Sequence, residues 1–246
     1  MTTCIFLGPS LSLEDARVIL PAIYLPPVRR GDVLAAVRRH DPEAIAIVDG
    51  YFEQVPAVWH KELLWTLDRG IALYGAASMG ALRAAELAQF GMVGIGRIHE
   101  AYATGRFPPF DDPFGDDAEV AVVHGPAEAG YPATEALVDI RATLAAASEA
   151  GTIDAAEMRE LMTAARSVFY KHRTWRTVLD AASLPEDRLA ALRDWLPRNR
   201  VRQKRLDALA LLRHLADRQD APPAPPFRFE RTLLWEQALA EDGEEG

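Results

Sequence analysis

At 246 residues, with 49% hydrophobic and 26% charged residues, the chain has the composition of a folded protein of one large or two ordinary domains. A net charge of −9 excludes a generic polyanion binder, because the overall field does not recruit nucleic acid. The single cysteine, Cys4, excludes an intrachain disulfide and a cysteine-rich zinc site, and no run is apolar for long enough to span a bilayer. "MTTCIFLGPS" lacks the charged start of a secretory signal, so the expectation is a cytoplasmic protein with no membrane or nucleic-acid partner.

The first half alternates short apolar runs with helical segments. "CIFLGPS" predicts a first strand and "LSLEDARVIL" a helix capped by Ser12. "AIYLPP" predicts a second strand stopped by Pro26 and Pro27, "GDVLAAVRRH" a helix, and "AIAIVDG" a third strand. "VPAVWHKELLWTLDRG" reads as a helix ended by Gly70, and "IALYGAA" as a fourth strand leading into the helix of "SMGALRAAEL". "EVAVVHG" is expected to be a further strand. Apolar runs alternating with helices predict an α/β fold, Rossmann-like, with a mostly parallel sheet flanked by helices, over 1–133. From 134 to 219 every segment has helical spacing, predicting an all-helical C-terminal region. Residues 220–246 read as a proline-rich connector and an acidic tail.

In open parallel sheets, ligands bind beyond the carboxyl ends of the strands. "GPS" (Gly8 and Ser10), "VDGYFE" (Asp49 and Glu53), "GAASMG" (Gly75, Ser78 and Gly80) and "HGPAE" (His124) are expected there. "AASMG" approximates the nucleophile elbow G-x-S-x-G, with Ala76 for the first glycine. Three roles fit Ser78: a nucleophile, an anion contact at a helix N-terminus, or a plain helix cap. On the helix that follows, Arg83 and Glu86 are three apart and suited to pair.

His60 shares a helical face with Trp59, Leu63 and Leu67 and reads first as a packed core histidine, though it is kept among the candidate bases. Ser78, an acid such as Glu100 or Asp117, and then His124 would match the hydrolase chain order, which is weak evidence without geometry. The acidic run "DDPFGDDAE" lacks metal-ligand spacing, so no metal or cofactor is expected. "GPS" could still hold a phosphate. Arg198, Arg202 and Arg205 form one helical stripe, read as a solvated face or a dock for an acidic partner.

Several of these segments in order, "IFLGPSL", "YLPPVRRGDVLAAV", "AIVDGYFEQVPAVWHKE", "LYGAASMGALRAAEL", "FGMVGIGRIHEAY", "DDAEVAVVHGPAE" and "VDIRATL", with "FYKHRTW" further on, resemble the TfuA family. The resemblance implies a role beside YcaO enzymes in thioamide formation on a peptide or protein backbone. It implies two partners, a YcaO-family protein and a ThiS-like sulfur carrier ending in a thiocarboxylate. Asp49, Glu53, His60, Lys61, Ser78, Arg83, Glu86, Arg97, Glu100 and His124 match its motif positions. The expectation is that Ser78 with His124, Glu100 and His60 hydrolyses the carrier's thiocarboxylate to release sulfide. The carrier tail would be bound by Gly8, Ser10, Asp49, Glu53, Gly75, Gly80, Arg83, Glu86 and Arg97. The competing expectation is a non-catalytic adaptor or activator that docks on YcaO through the helical half.

Overall fold

The computed structural model describes residues 2–51, 53, 55–123, 125, 134–217, 225, 227–233 and 235–237. The strands are β1 (Thr3–Phe6), β2 (Ile23–Leu25), β3 (Ala44–Ile47), β4 (Ala72–Ala76) and β5 (Val93–Ile95). They form one parallel sheet in the order β2-β1-β3-β4-β5. Helices α1 (Leu13–Ile19), α2 (Asp32–His40), α3 (His60–Asp68), α4 (Met79–Leu87) and α5 (Arg97–Thr104) connect or follow them. The helical half contributes α6 (Leu137–Glu149), α7 (Ala155–Ser167), α8 (Trp175–Ala181), α9 (Glu186–Asn199) and α10 (Gln203–Ala216). This is the expected α/β, Rossmann-like architecture, and Ser12 caps α1 by accepting from the Asp15 N–H at 3.2 Å.

β3 is four apolar residues, all buried, as a strand covered on both faces must be. On one face Ile45, Ile47 and Leu73 pack with residues of α2, α3 and α4, among them Val33, Leu63 and Ala84. On the other face Ile5, Ala46 and Tyr74 pack with Ala16 of α1 and with Ala208, Leu211 and Leu212 of α10. The last helix of the helical half therefore covers the sheet. A third cluster, including Phe107, Ile140 and Leu161, forms the core of the helices.

One strand falls elsewhere than expected. Residues 117–119 of the "EVAVVHG" region make a 3-10 turn, and 120–123 carry no strand. The backbone there is satisfied by side chains instead: the Val120 carbonyl accepts from Lys204 Nζ at 2.9 Å, and the Val123 N–H donates to Thr134 Oγ1 at 2.8 Å. Val120 itself is spent on the helical core. The fifth strand is Val93–Ile95, a three-residue element centred on Gly94, too short to produce an apolar run. No helix among the described residues is long and apolar enough to cross a membrane. Much of the connector and tail lies outside the described residues, but Trp235 is buried and packs beside Trp65, with ring centroids 6.1 Å apart.

Candidate functional site

The sheet order reverses between β1 and β3, and this is where open α/β sheets bind ligands. Asp49, just past β3 and 1% exposed, ties the two strand ends together. Its Oδ2 accepts from the Gly8 and Ser10 N–H groups at 2.9 and 3.1 Å, and its Oδ1 from Ser10 Oγ at 2.6 Å. The expectation that "GPS" could hold a phosphate is overturned, because both amides are occupied by this carboxylate.

One strand further along, β4 turns into α4. Ala77 takes φ +65°, a left-handed conformation that costs a non-glycine residue on the order of 1–3 kcal/mol. Gly80 lets α4 sit against the sheet: a Cβ there would lie 1.7 Å from the Ile47 carbonyl oxygen. The same descent brings Gly80 onto Gly75, whose own Cβ would meet the Gly80 carbonyl oxygen at 2.1 Å. The turn leaves Ser78 2% exposed at the head of α4, and its hydroxyl does not cap the helix. The Ser78 and Gly80 N–H groups both donate to the Val48 carbonyl at 3.3 Å. The Met79 N–H opens the first turn, where an amide has no acceptor within the helix.

The remaining wall comes from the helical half. Lys204 is 4% exposed, in the first turn of α10, and shares with Ser78 a cavity of about 70 Å³ lined also by Asp49, Gly50, Tyr170 and Lys171. Burial pulls the Lys204 ammonium below the ordinary lysine range, against the opposing pull of Asp49 and Asp139. The second lysine is of another kind: Lys171 is 44% exposed and bound to Glu53 Oε2 at 2.6 Å, which holds it charged.

Two carboxylates fix α10. Asp139 Oδ1 accepts from the Lys204 N–H at 2.9 Å. Asp207 Oδ2 accepts from the Ile98 N–H at 2.7 Å, so it caps α5 in place of Gly96, the cap residue without a side chain. A Cβ on Gly96 would lie 2.4 Å from Asp207 Cγ, which explains glycine there. Beyond Lys204 a second cavity of about 160 Å³ is lined by Ser10, Asp139, Arg200, Arg202 and Arg205. A wider one of about 560 Å³ lies beside α2, between Pro27, Arg39 and Tyr51, away from Ser78 and Lys204.

Of the residues expected from the sequence, Ser78 and Asp49 line the Ser78 cavity, Gly75 and Gly80 underlie it, Gly8 and Ser10 are tied to it through Asp49, and Glu53 pairs with its Lys171. His60, Arg83 and Glu86 meet on the outer surface of α3 and α4. His60 Nε2 lies 2.8 Å, and Arg83 Nη1 2.5 Å, from Glu86 Oε2. The reading of His60 as a core residue is overturned: its side chain is 48% exposed, because the buried face of α3 runs through Glu62, Leu63, Thr66 and Leu67.

Glu100 is exposed on α5, and Arg97 lies over the Phe107 ring, 4.2 Å from its centroid. His124 lies outside the described residues. Of the acidic run, Asp112 and Glu119 hold the buried Arg141, with contacts of 2.6 and 2.7 Å. Arg198 is exposed at the end of α9, Arg202 at the start of α10, and Arg205 pairs with Asp15 at 3.2 Å.

Lys204 is the candidate site residue that sequence reading passed over. It was hidden in "RNRVRQKR", where the arginine stripe drew attention. The signal was available: Lys204, Ala208, Leu211 and Leu212 share the apolar face of α10. A lysine on such a face is a buried ionisable group.

Ser78 and the buried Lys204 thus share one cavity at the carboxyl edge of the sheet, where open α/β proteins hold ligands. The TfuA-like protein family matches residues 49–174, and the chain belongs to that family. Membership suggests a role linked to YcaO-dependent thioamidation, in association with a YcaO protein. The matched span contains Asp49, Ser78 and Lys171 and stops before α10. No curated protein matches the chain.

Proposed function

We propose that the protein supplies sulfur for YcaO-dependent thioamidation by hydrolysing the thiocarboxylate of a ThiS-like carrier protein. The observation that carries this reading is the enclosure of Ser78 and Lys204 in one small cavity. A neutral lysine amine can accept the serine proton, and burial favours the neutral form. One N–H of the amine donates to the Val120 carbonyl at 2.9 Å, and in the proposed reaction the lone pair of the neutral amine takes the Ser78 proton. Ser78 Oγ then bonds to the thiocarboxyl carbon, its proton passes to Lys204, and the oxyanion is held at the head of α4, where the Met79 N–H is available. The carbon–sulfur bond breaks as the sulfur takes the proton from Lys204, and hydrosulfide leaves. Water, deprotonated by the same amine, cleaves the acyl-serine to a carboxylate.

A cavity of about 70 Å³ suits this substrate. It has room for a terminal carbonyl group and a water, each water having a share of about 30 Å³ in the liquid, and excludes bulky side chains. The chain divides by role in this proposal: the α/β part, 1–133, presents the nucleophile; the helical part, 134–219, presents the base; 220–246 are connector and tail. The test follows the carrier tail by intact mass. Conversion of thiocarboxylate to carboxylate faster than in buffer is expected; a rate equal to buffer overturns the reading.

The second reading is a non-catalytic adaptor or activator docked on YcaO, favoured by the exposure of Arg198 and Arg202 at the junction of α9 and α10. It predicts that YcaO with abundant free sulfide still requires this protein.

A further inference from the structure

The reaction proposed above leaves unexplained what places Lys204 and decides how much of it carries a proton. Lys204 occupies the first turn of α10, a helix that lacks a side-chain cap at its own N-cap residue, Arg202. The cap comes from another helix: Asp139, in the first turn of α6, accepts from the Lys204 backbone N–H at 2.9 Å. It lines the cavity behind Lys204, so one carboxylate both anchors the backbone of the lysine and sits in its field. The anchoring is local, since the neighbouring residue pair, Thr143 Oγ1 with the Val201 N–H at 3.0 Å, joins the same two segments one turn further along α6.

We propose that Asp139 is a positioning residue for Lys204: it fixes the start of α10 on α6 and, through its charge, adds to Asp49 in raising the fraction of Lys204 that is protonated. The role in hydrolysis rests on the reading above; the charge effect is independent of turnover.

Other charged groups act on the pair. Asp49 lies on the sheet side of Lys204, and Glu135 and Arg202 act on Asp139 with opposite signs. Tyr170 and Lys171 line the Ser78 cavity, and Arg200 and Arg205 the other. Arg200 is bound to Glu135 at 3.0 Å, Arg205 to Asp15 and Lys171 to Glu53, so each has a carboxylate of its own. Asp207 is occupied by the Ile98 N–H and by Gln203 Nε2 at 2.7 Å. Asp49 accepts from three donors of the β1–α1 loop. Asp139 is the carboxylate bonded to the lysine's own backbone. Burial pushes it up to about 6, so near neutral pH it is largely ionised and favours the ammonium form of Lys204.

Asp139→Asn tests this, because the amide oxygen can still accept from the Lys204 N–H while the charge is gone. The titration of Lys204 is followed by NMR of its side chain in the resting full-length protein, with the resonance identified by its loss in Lys204→Met. A midpoint about one pH unit below that of the wild type is expected in Asp139→Asn, with Asp139→Glu close to the wild type. In the hydrolysis assay the acid limb moves down in pH by the same amount. A purely structural role would lower the plateau and leave the limb in place. Asp139→Ser, a neutral acceptor suited to a first turn, serves if Asp139→Asn does not fold. An unmoved midpoint in the neutral variants overturns the inference. A moved midpoint in a protein that does not hydrolyse the carrier upholds the charge effect and removes the hydrolytic reading instead.

Discussion

Two groups of side chains meet at α4, one at its N-terminus and one on its outer flank, and they differ in burial. At its N-terminus Ser78 and Lys204 are nearly fully buried and share a small cavity. On its outer flank His60, Arg83 and Glu86 form a closer-knit ion cluster in which His60 and Glu86 are open to water and Arg83 is mostly covered. The exposed cluster has the more familiar catalytic residue types and the shorter contacts. The buried pair has the altered environment, with a lysine shifted towards its neutral form. Side-chain identity suggested the first as a source of a base; burial points to the second, since water screens a surface pair.

The largest expected effect separates the two directly. Ser78→Ala and Lys204→Met each reduce carrier hydrolysis by roughly a hundredfold or more, the scale of a lost nucleophile or general base. His60→Ala and Glu86→Gln stay within about threefold in the same intact-mass assay. Equal losses at both clusters would erase the distinction. Next in size is the support beneath the pocket. Gly80→Ala drives a Cβ against the Ile47 carbonyl oxygen, and lifting α4 off the sheet costs about 1–3 kcal/mol or more, read as a lowered midpoint in urea.

The pH profile gives a smaller but more specific contrast. In the proposed reaction hydrolysis needs the neutral amine, so the rate is expected to rise with pH through the Lys204 titration, and burial places that limb below the ordinary lysine range. A limb that followed His60 would survive in Lys204→Met and vanish in His60→Ala. The smallest effect belongs to the surface: Glu86→Gln, at a pair whose carboxylate is 37% exposed, changes stability by no more than about 1 kcal/mol in thermal unfolding.

Four strand–helix units were legible because each strand is an unbroken apolar run closed by proline, glycine or a capping residue, as "AIAIVDG" shows. The fifth strand was not, because Val93–Ile95 is too short to stand out from its glycines, and "EVAVV" misled because apolar residues that pack on helices look the same in sequence as those in a sheet. Within the site, Ser78 was marked by its strand–turn–helix context and Asp49 by its place after β3. Lys204 was obscured by the arginines around it, and only the apolar face it shares with Ala208, Leu211 and Leu212 marks it as the cation α10 turns inward. Its partner also lies far along the chain, and no local pattern reports such a meeting. Glu53 reached the site by a route the sequence did not suggest, through its ion pair with Lys171.

That α10 closes the second face of the sheet has a consequence for how the protein is made. The strands, the turn and Ser78 leave the ribosome long before Lys204 does, and until α10 docks, Ile5, Ala46 and Tyr74 have lost one side of their cover. A nascent chain therefore carries an unarmed serine beside an open apolar face, and both are resolved by one late event. The sheet is sealed and Lys204 reaches Ser78 in the same step, so a product truncated before α10 would be sticky.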